Sequence, residues 1–234
     1  MDAPLLAPSQ QAFYNIFTML YDKDIREPLF DYLEEYYGKI RILEEKRTGR
    51  SRADIVMVLP EKLCGIEIKS DADSYQRLSR QIKDYDMYFD MNIVAVGSSH
   101  GAHVEEHVPE HWGIITIDEV DGKPDFYFLR MPSRNPSMKP LRKIEILWRP
   151  ELAHIQELNE LPKYAQKSKA FVQEVIVERV DPSLLSIQIS DELFERDYNT
   201  IGERIKEYRQ QHTKRKVRAR SKRKLYRLPR AKKK

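Results

Sequence analysis

The pattern of apolar and polar positions along the chain predicts a mixed α/β fold. Between residues 10 and 37 apolar side chains recur three and four positions apart, which is typical of amphipathic helices, and Gly38 is a suitable end for the last of them. The same spacing returns between residues 74 and 89 and predicts another helix. Short alternating or wholly apolar runs predict strands at residues 40–45, 54–59, 65–70, 92–96, 112–117 and 124–129. This order predicts a central mixed sheet flanked by helices.

A proline-rich interval, residues 131–140, is the best boundary along the chain. Beyond it, helices joined by turns that contain proline are predicted over residues 151–164, 167–179 and 194–210. We therefore expect four parts: an N-terminal helix in residues 1–21, an α/β core in 22–130, a C-terminal helical part in 131–212 and a basic tail in 213–234.

The composition is that of an ordinary globular protein. A chain of 234 residues can bury one good core, with at most a small helical appendage. No run approaches the roughly 18 apolar residues of a membrane span, and no signal peptide is evident, so we expect a cytoplasmic protein that does not engage a membrane. The single cysteine, Cys64, excludes an internal disulfide and a thiolate cluster around zinc.

Charge is distributed unevenly along the chain. Residues 213–234 contain 13 lysines and arginines and no acid, whereas the rest of the chain has 28 basic and 37 acidic residues. Such a tail should be disordered when free and should bind nucleic acid by releasing counterions; a solubilising terminus or an RNA contact is the alternative. The basic residues that we expect to contact phosphate there are Lys214, Arg215, Lys216, Arg218, Arg220, Lys222, Arg223 and Lys224.

Two carboxylates and an amine stand at adjacent ends of two predicted strands. Side chains alternate along a strand, so Glu67 and Lys69 share one face, and a hairpin turn at residues 60–62 brings Asp54 close to Glu67. Converging carboxylates repel unless they share a proton or hold a divalent metal ion. We expect Asp54, Glu67 and the Ile68 carbonyl to hold Mg²⁺ or Mn²⁺, with Lys69 beside the attacking water.

These residues resemble the PD-(D/E)XK nuclease superfamily, which has a restriction-endonuclease-like fold. Asp54, the hairpin spacing and the Glu67-Ile68-Lys69 run match its motif, and Gln81 with Tyr85 is similar to the Q-x3-Y element of the RecB-type branch, in which both residues line the active site. Ala53 stands where the name-giving proline would be.

Further segments carry a second resemblance: Asp24-Ile25-Arg26, Arg52-Ala53-Asp54-Ile55, the run from Glu67 to Asp73, Arg77-Leu78 with Gln81, and Trp112-Gly113-Ile114-Ile115. Through them, residues 22 to about 150 are similar to a compact, mostly uncharacterised bacterial and phage family of that superfamily. The superfamily often supplies a further acid from the first helix or strand. Glu45 is our first choice for it, and Glu44 and Glu27 are the alternatives.

The resemblance implies a metal-dependent nuclease that hydrolyses the phosphodiester bonds of DNA. Arg52 lies two residues before Asp54, where it could pair with a carboxylate or contact a phosphate. The alternative is a catalytically silent nucleic-acid-binding or adaptor module on the same fold, for instance in a phage or defence system. A homodimer or a protein partner also fits the sequence.

Overall fold

The computed structural model describes residues 21–70, 73–97, 101 and 103–196. The predicted N-terminal helix, most of the predicted helix at 194–210 and the basic tail with its eight nominated residues therefore lie outside the described residues. The helices are α1 Asp22–Tyr37, α2 Leu78–Tyr88, α3 Pro140–Lys143, α4 Arg149–Leu158, α5 Lys169–Arg179 and α6 Pro182–Phe194. The strands are β1 Arg41–Thr48, β2 Ser51–Leu59, β3 Lys62–Lys69, β4 Met91–Gly97, β5 Gly113–Val120 and β6 Lys123–Arg130.

The strands form one mixed sheet in chain order, β1-β2-β3-β4-β5-β6. The pairs β1/β2, β2/β3 and β5/β6 are antiparallel, whereas β3/β4 and β4/β5 are parallel. The predicted α/β class and central sheet are confirmed. Helix α2 makes the crossover that two parallel neighbours require between β3 and β4.

The two faces of the sheet bury separate apolar cores. On one face α1 packs Ile25, Leu29 and Leu33 against a cluster that includes Ile66 and Ile68 of β3. On the other face α2 and the C-terminal helices cover a second cluster. Because both faces are covered, β3 is buried over almost its whole length, and Glu67 and Lys69 are enclosed rather than solvated.

The C-terminal helices belong to the second core as far as Phe194, where the first compact unit of the chain ends. The predicted helix at 151–164 is shorter, since α4 ends at Leu158. Helix α6 was not predicted, because its mostly apolar sequence gives little helical contrast, yet Leu185, Ile189 and Leu193 recur at intervals of four residues and are buried. The second unit begins at Glu195.

Acidic side chains bond to nearby backbone at the starts of two helices. Tyr21 is the N-cap of α1, and the Asp24 carboxylate accepts a hydrogen bond from the Tyr21 backbone N–H at 3.2 Å. Before α2, the Asp73 carboxylate accepts hydrogen bonds from Ser70, and the chain enters the helix through a 3₁₀ turn. Short polar side chains readily bond to nearby backbone in this way.

At Gly65, β3 packs closely against the C-terminal half of α2 and Phe89, the residue that follows it. A Cβ atom at this position would lie 2.2 Å from Cδ2 of Phe89 and 2.7 Å from Cδ1 of Tyr85, and both rings are buried. Only a hydrogen atom therefore fits between strand and helix. This close packing lets the Tyr85 hydroxyl reach the carboxylate of Glu67, which is two residues after Gly65 on the strand.

We predict that Gly65→Ala lowers the free energy of unfolding by about 3 kcal/mol, because an added methyl group forces two packed rings off their positions. Gly122→Ala is the matched control, because it also adds one methyl group but meets no atom within 4 Å. Its only expected cost is about 1 kcal/mol for alanine at a φ of +76°. Urea unfolding followed by circular dichroism measures both. Equal costs would contradict this account of the packing.

Candidate active site

The β2–β3 hairpin and helix α2 bring five of the predicted site residues together. Pro60 and Glu61 form the turn, and the ladder pairs Ile55 with Ile66, so Asp54 and Glu67 follow as the next residues on the two strands. Gln81 and Tyr85, one helical turn apart on α2, face the same point. Asp54, Glu67, Lys69, Gln81 and Tyr85 thus form one connected cluster.

Glu67 is the centre of this cluster and is 1% exposed. One of its carboxylate oxygens, Oε1, accepts hydrogen bonds from the Lys69 ammonium, 2.5 Å away, and from the Gln81 side-chain amide. The other, Oε2, accepts one from the Tyr85 hydroxyl at 2.6 Å. A buried carboxylate needs such donors, since desolvation of an unpaired charge is costly.

Tyr85 connects the two carboxylate residues. Its hydroxyl donates to Glu67 and accepts a hydrogen bond from the Asp54 backbone N–H at 3.2 Å. Burial, followed by the negative charges of Glu67 and Asp54, holds the pKa of Tyr85 well above its usual value. The tyrosine therefore stays protonated and remains a donor to Glu67.

Asp54 is less enclosed, with its side chain 21% exposed. Its Oδ2 accepts a hydrogen bond from the Ile68 backbone N–H at 3.0 Å, which fixes the carboxylate across the strand pair. Burial and then repulsion from Glu67 raise the pKa of Asp54 to about 7, while the bond to Ile68 and the charges of Arg26 and Lys69 oppose the rise. Near neutral pH this carboxyl group is close to its midpoint.

The predicted further acid, Glu45, enters an ion-pair network with arginines. Its carboxylate pairs with Arg52 and lies 3.1 Å from Arg26, which in turn lies 3.7 Å from Asp54 Oδ1. It is thus the guanidinium of Arg26 that links Glu45 to Asp54. Glu44 also reaches Arg26, at 3.5 Å, and Glu27 is exposed on α1.

Arg26 is a residue of the cluster to which the sequence assigned no role. It lies on α1, far from the strands in sequence, and donates to the Asp54 backbone carbonyl at 3.3 Å as well as to Asp22 at 2.7 Å. Nothing in the helical pattern distinguishes it from a solvated arginine. Its role depends on how α1 lies across the sheet, which local spacing cannot show.

The cluster opens into a cavity of about 660 Å³. Asp54, Glu67 and Lys69 lie in its wall, together with Arg26 and Arg52. Four further arginines line it, namely Arg47, Arg50, Arg77 and Arg80. The lining thus contains six guanidinium groups and five carboxylates, those of Asp22, Glu45, Asp54, Glu67 and Asp73, so the cavity presents both cationic and anionic groups to a ligand.

The donor set fits a hard divalent cation. Within the described ranges, no cluster of three or more histidine, cysteine, aspartate or glutamate side chains is arranged to hold a metal ion. Mg²⁺, however, is usually held by one or two carboxylates together with water and phosphate oxygens. Asp54 and Glu67 each keep acceptor lone pairs beyond the hydrogen bonds described above, and the Ile68 carbonyl follows Glu67 directly in sequence.

One buried polar atom in the site lacks a partner. The Gln81 side-chain oxygen, Oε1, has no hydrogen-bond partner among the residues described, although the amide nitrogen of the same group is bonded to Glu67. Gln81 lines the cavity. Such an atom is expected to accept a hydrogen bond from water or ligand.

In metal-free buffer, we predict that wild type loses stability relative to Asp54→Asn as the pH rises from about 4 to about 7. A carboxyl group whose pKa is raised by folding stabilises the fold while it is protonated, and this contribution disappears as the pH passes its raised pKa. The loss amounts to up to about 4 kcal/mol. Urea unfolding at a series of pH values measures it. A constant difference between the two proteins would show that Asp54 does not titrate in this range.

Among the described residues, no helix is long and apolar enough to cross a membrane.

A search of the curated proteins found no match. A search of solved structures matched Pyrococcus furiosus SfsA in complex with Ca²⁺, at 12% sequence identity and a TM-score of 0.27, over 47% of this chain and 60% of that chain. This chain therefore spans less than two-thirds of SfsA. The sequence pattern of the family described as bacteriophage P4 protein cII matches residues 15–225, which is most of the chain. The chain belongs to the bacteriophage P4 protein cII family.

Proposed function

We propose that this protein is a divalent-metal-dependent nuclease that hydrolyses phosphodiester bonds of DNA. The observation that carries the proposal is the convergence of Asp54, Glu67 and Lys69 in one cavity, with Gln81 and Tyr85 bonded to the same glutamate. The order α1-β1-β2-β3-α2-β4 around this cluster supports the resemblance to the PD-(D/E)XK superfamily.

Asp54, Glu67 and the Ile68 carbonyl would hold Mg²⁺ or Mn²⁺. Such an ion supplies a hydroxide at neutral pH and neutralises charge on the phosphate in the transition state. Lys69 is buried beside Glu67, so its ammonium group adds positive charge in a site of low dielectric, where it stabilises developing negative charge most effectively.

Gln81 and Tyr85 act through Glu67, so they are positioning residues. Their two hydrogen bonds hold both carboxylate oxygens in fixed directions. Removing hydrogen-bond partners of this kind typically lowers metal affinity or activity about 10- to 100-fold. DNA would also be attracted by the basic tail, which lies outside the described residues.

The direct test is cleavage of plasmid and labelled single-stranded DNA with Mg²⁺, Mn²⁺ or EDTA. We expect metal-dependent cleavage by wild type and a loss of at least about 100-fold in Asp54→Asn, Glu67→Gln and Lys69→Met. Asp118→Asn and Lys123→Met, which change exposed residues of the β5–β6 hairpin, are controls of the same chemistry. Metal-dependent cleavage that survives in all three site variants would overturn the assignment.

Tyr85→Phe tests the positioning role separately. It keeps the buried ring and removes only the hydroxyl group that joins Glu67 to Asp54. We expect activity to fall about 10- to 100-fold and the Mn²⁺ concentration for half-maximal activity to rise. A fall in activity with an unchanged Mn²⁺ requirement would mean that the hydroxyl does not support the metal site.

A catalytically silent nucleic-acid-binding module is the second candidate, and the position of Arg26 favours it. Each site carboxylate already has a cation beside it: Arg26 lies 3.7 Å from Asp54, and Lys69 lies 2.5 Å from Glu67. In such a site the carboxylates are compensated by the protein itself and need no metal ion.

Metal binding by Arg26→Gln distinguishes the two candidates. In a working nuclease, Mn²⁺ should raise the melting temperature of wild type, and Asp54→Asn should abolish this rise. In a silent module, Mn²⁺ should leave wild type unchanged and stabilise only Arg26→Gln, in which the competing guanidinium is gone. Differential scanning fluorimetry with EDTA as the reference reads both outcomes without requiring activity.

A further inference from the structure

Four arginines around the cavity are not explained by the chemistry of the carboxylate cluster. Arg47 and Arg50 stand on the β1–β2 hairpin, and Arg77 and Arg80 stand where the chain enters α2. We propose that these four residues, the arginine rim, bind backbone phosphates of a nucleic acid and seat its strand across the cavity that contains Asp54 and Glu67. The inference rests on the proposed function only in placing the scissile phosphate over Asp54 and Glu67.

The side chains of the rim are exposed. Across the described ranges, none of the four forms an ion pair or a side-chain hydrogen bond, whereas Arg26 and Arg52 of the same cavity do. The chain outside the tail has an excess of acidic residues. Unpaired arginines gathered around one pocket therefore differ from the average surface of this protein.

On the hairpin, the placement of the rim works against local stability. Arg47 is the direct cross-strand partner of Arg52 in the β1–β2 ladder. Like charges in this position are unfavourable in an antiparallel pair. Arg52 has the Glu45 carboxylate as its counter-charge, so Arg47 is the guanidinium group of this pair for which a phosphate would supply one.

At α2 the same conflict appears in another form. Arg77 is the N-cap of α2 and Arg80 lies in its first turn, which contains no acidic residue. The N-terminal end of a helix carries partial positive charge, so cations there are unfavourable and anions are favoured. The two side chains, three positions apart, lie on one face of the chain and repel each other as well. A phosphate relieves both terms.

The two halves of the rim are held at a fixed separation. The buried Asp84 of α2 accepts a hydrogen bond from the Ser51 hydroxyl of the hairpin at 2.5 Å. Gly49, with a φ of +60°, leaves space for the same carboxylate, since a Cβ there would lie 2.8 Å from Asp84 Oδ1. The brace means that little ordering is needed when a strand binds, and preorganised sites bind more tightly for that reason.

The rim also answers an electrostatic problem of the site. Phosphate approaching two carboxylates is repelled, and Arg26 and Lys69 are already engaged with them. Guanidinium groups form bidentate hydrogen bonds with phosphate oxygens and keep their charge at any physiological pH. Four of them on the two sides of the cavity supply the attraction that the centre lacks.

The test compares two quadruple variants of the full chain that remove the same charge. The rim variant is Arg47→Gln, Arg50→Gln, Arg77→Gln and Arg80→Gln. The control variant is Arg134→Gln, Lys139→Gln, Lys163→Gln and Arg179→Gln, all exposed residues that lie outside this cavity. Binding of fluorescein-labelled single-stranded and duplex DNA of one sequence is measured by anisotropy in EDTA at several salt concentrations.

If the rim binds phosphate, the slope of log affinity against log salt becomes shallower in the rim variant. The slope should change by about 3 to 4 on duplex DNA and by about 3 on single strands. These values follow because each of the four phosphate contacts contributes about 0.9 to the slope on a duplex and about 0.7 on a single strand. The control variant should change the slope by less than about 1. Both keep residues 213–234, so the contribution of the tail cancels, and thermal melting verifies that both fold.

Equal slopes for the rim and control variants would overturn the inference. Because binding is measured in EDTA, the outcome does not depend on cleavage. If wild type never cleaves DNA but the rim variant still loses its slope, the nuclease proposal fails and the rim stands. If wild type cleaves and the rim variant binds with unchanged slope, the rim fails and the nuclease proposal stands.

Discussion

The burial of Glu67 is the constraint on which the rest of the site depends. Without hydrogen-bond donors on both oxygens, a carboxylate enclosed between a sheet and a helix would lower the stability of the fold by several kcal/mol, as an uncompensated buried ion does. Lys69 from the same strand and Gln81 with Tyr85 from α2 provide them. Helix α2 can reach Glu67 only because Gly65 leaves room for the Tyr85 ring. The hydrogen bonding of Glu67 therefore depends on how closely α2 packs against β3.

The environment of Asp54 depends in part on Glu67. Burial and then the negative charge of Glu67 raise the pKa of Asp54 to about 7, and the hydrogen bond from Ile68 and the charge of Arg26 only partly oppose this rise. The two acids therefore have unequal environments: Glu67 accepts hydrogen bonds on both carboxylate oxygens, whereas Asp54 lies between the repulsion of Glu67 and the opposing charges of Arg26 and Lys69. A group poised in this way responds to whatever cation is present.

Most of the fold and the centre of the site could be predicted from the sequence, because they depend on local patterns. Strand alternation placed Glu67 and Lys69 on one face, a short turn set the β2–β3 register, and helical spacing joined Gln81 to Tyr85. Arg26 could not be predicted, because its contact with Asp54 depends on the position of α1 across the sheet. Helix α6 escaped prediction because it is apolar on most sides.

The arginine rim was missed for a related reason, and it shows what local rules reveal when they fail. Arg47 opposite Arg52 is an unfavourable cross-strand pair of like charges, and Arg77 and Arg80 are cations at the N-terminal end of a helix. Glu45, which also lines the cavity, has a left-handed φ of 55°. All of these unfavourable features border the same cavity. Local inconsistencies that converge on one place are expected where function, not stability, determines the residues. Since an anion would relieve each of the charge conflicts, these features support the proposal that the arginine rim binds a polyanion.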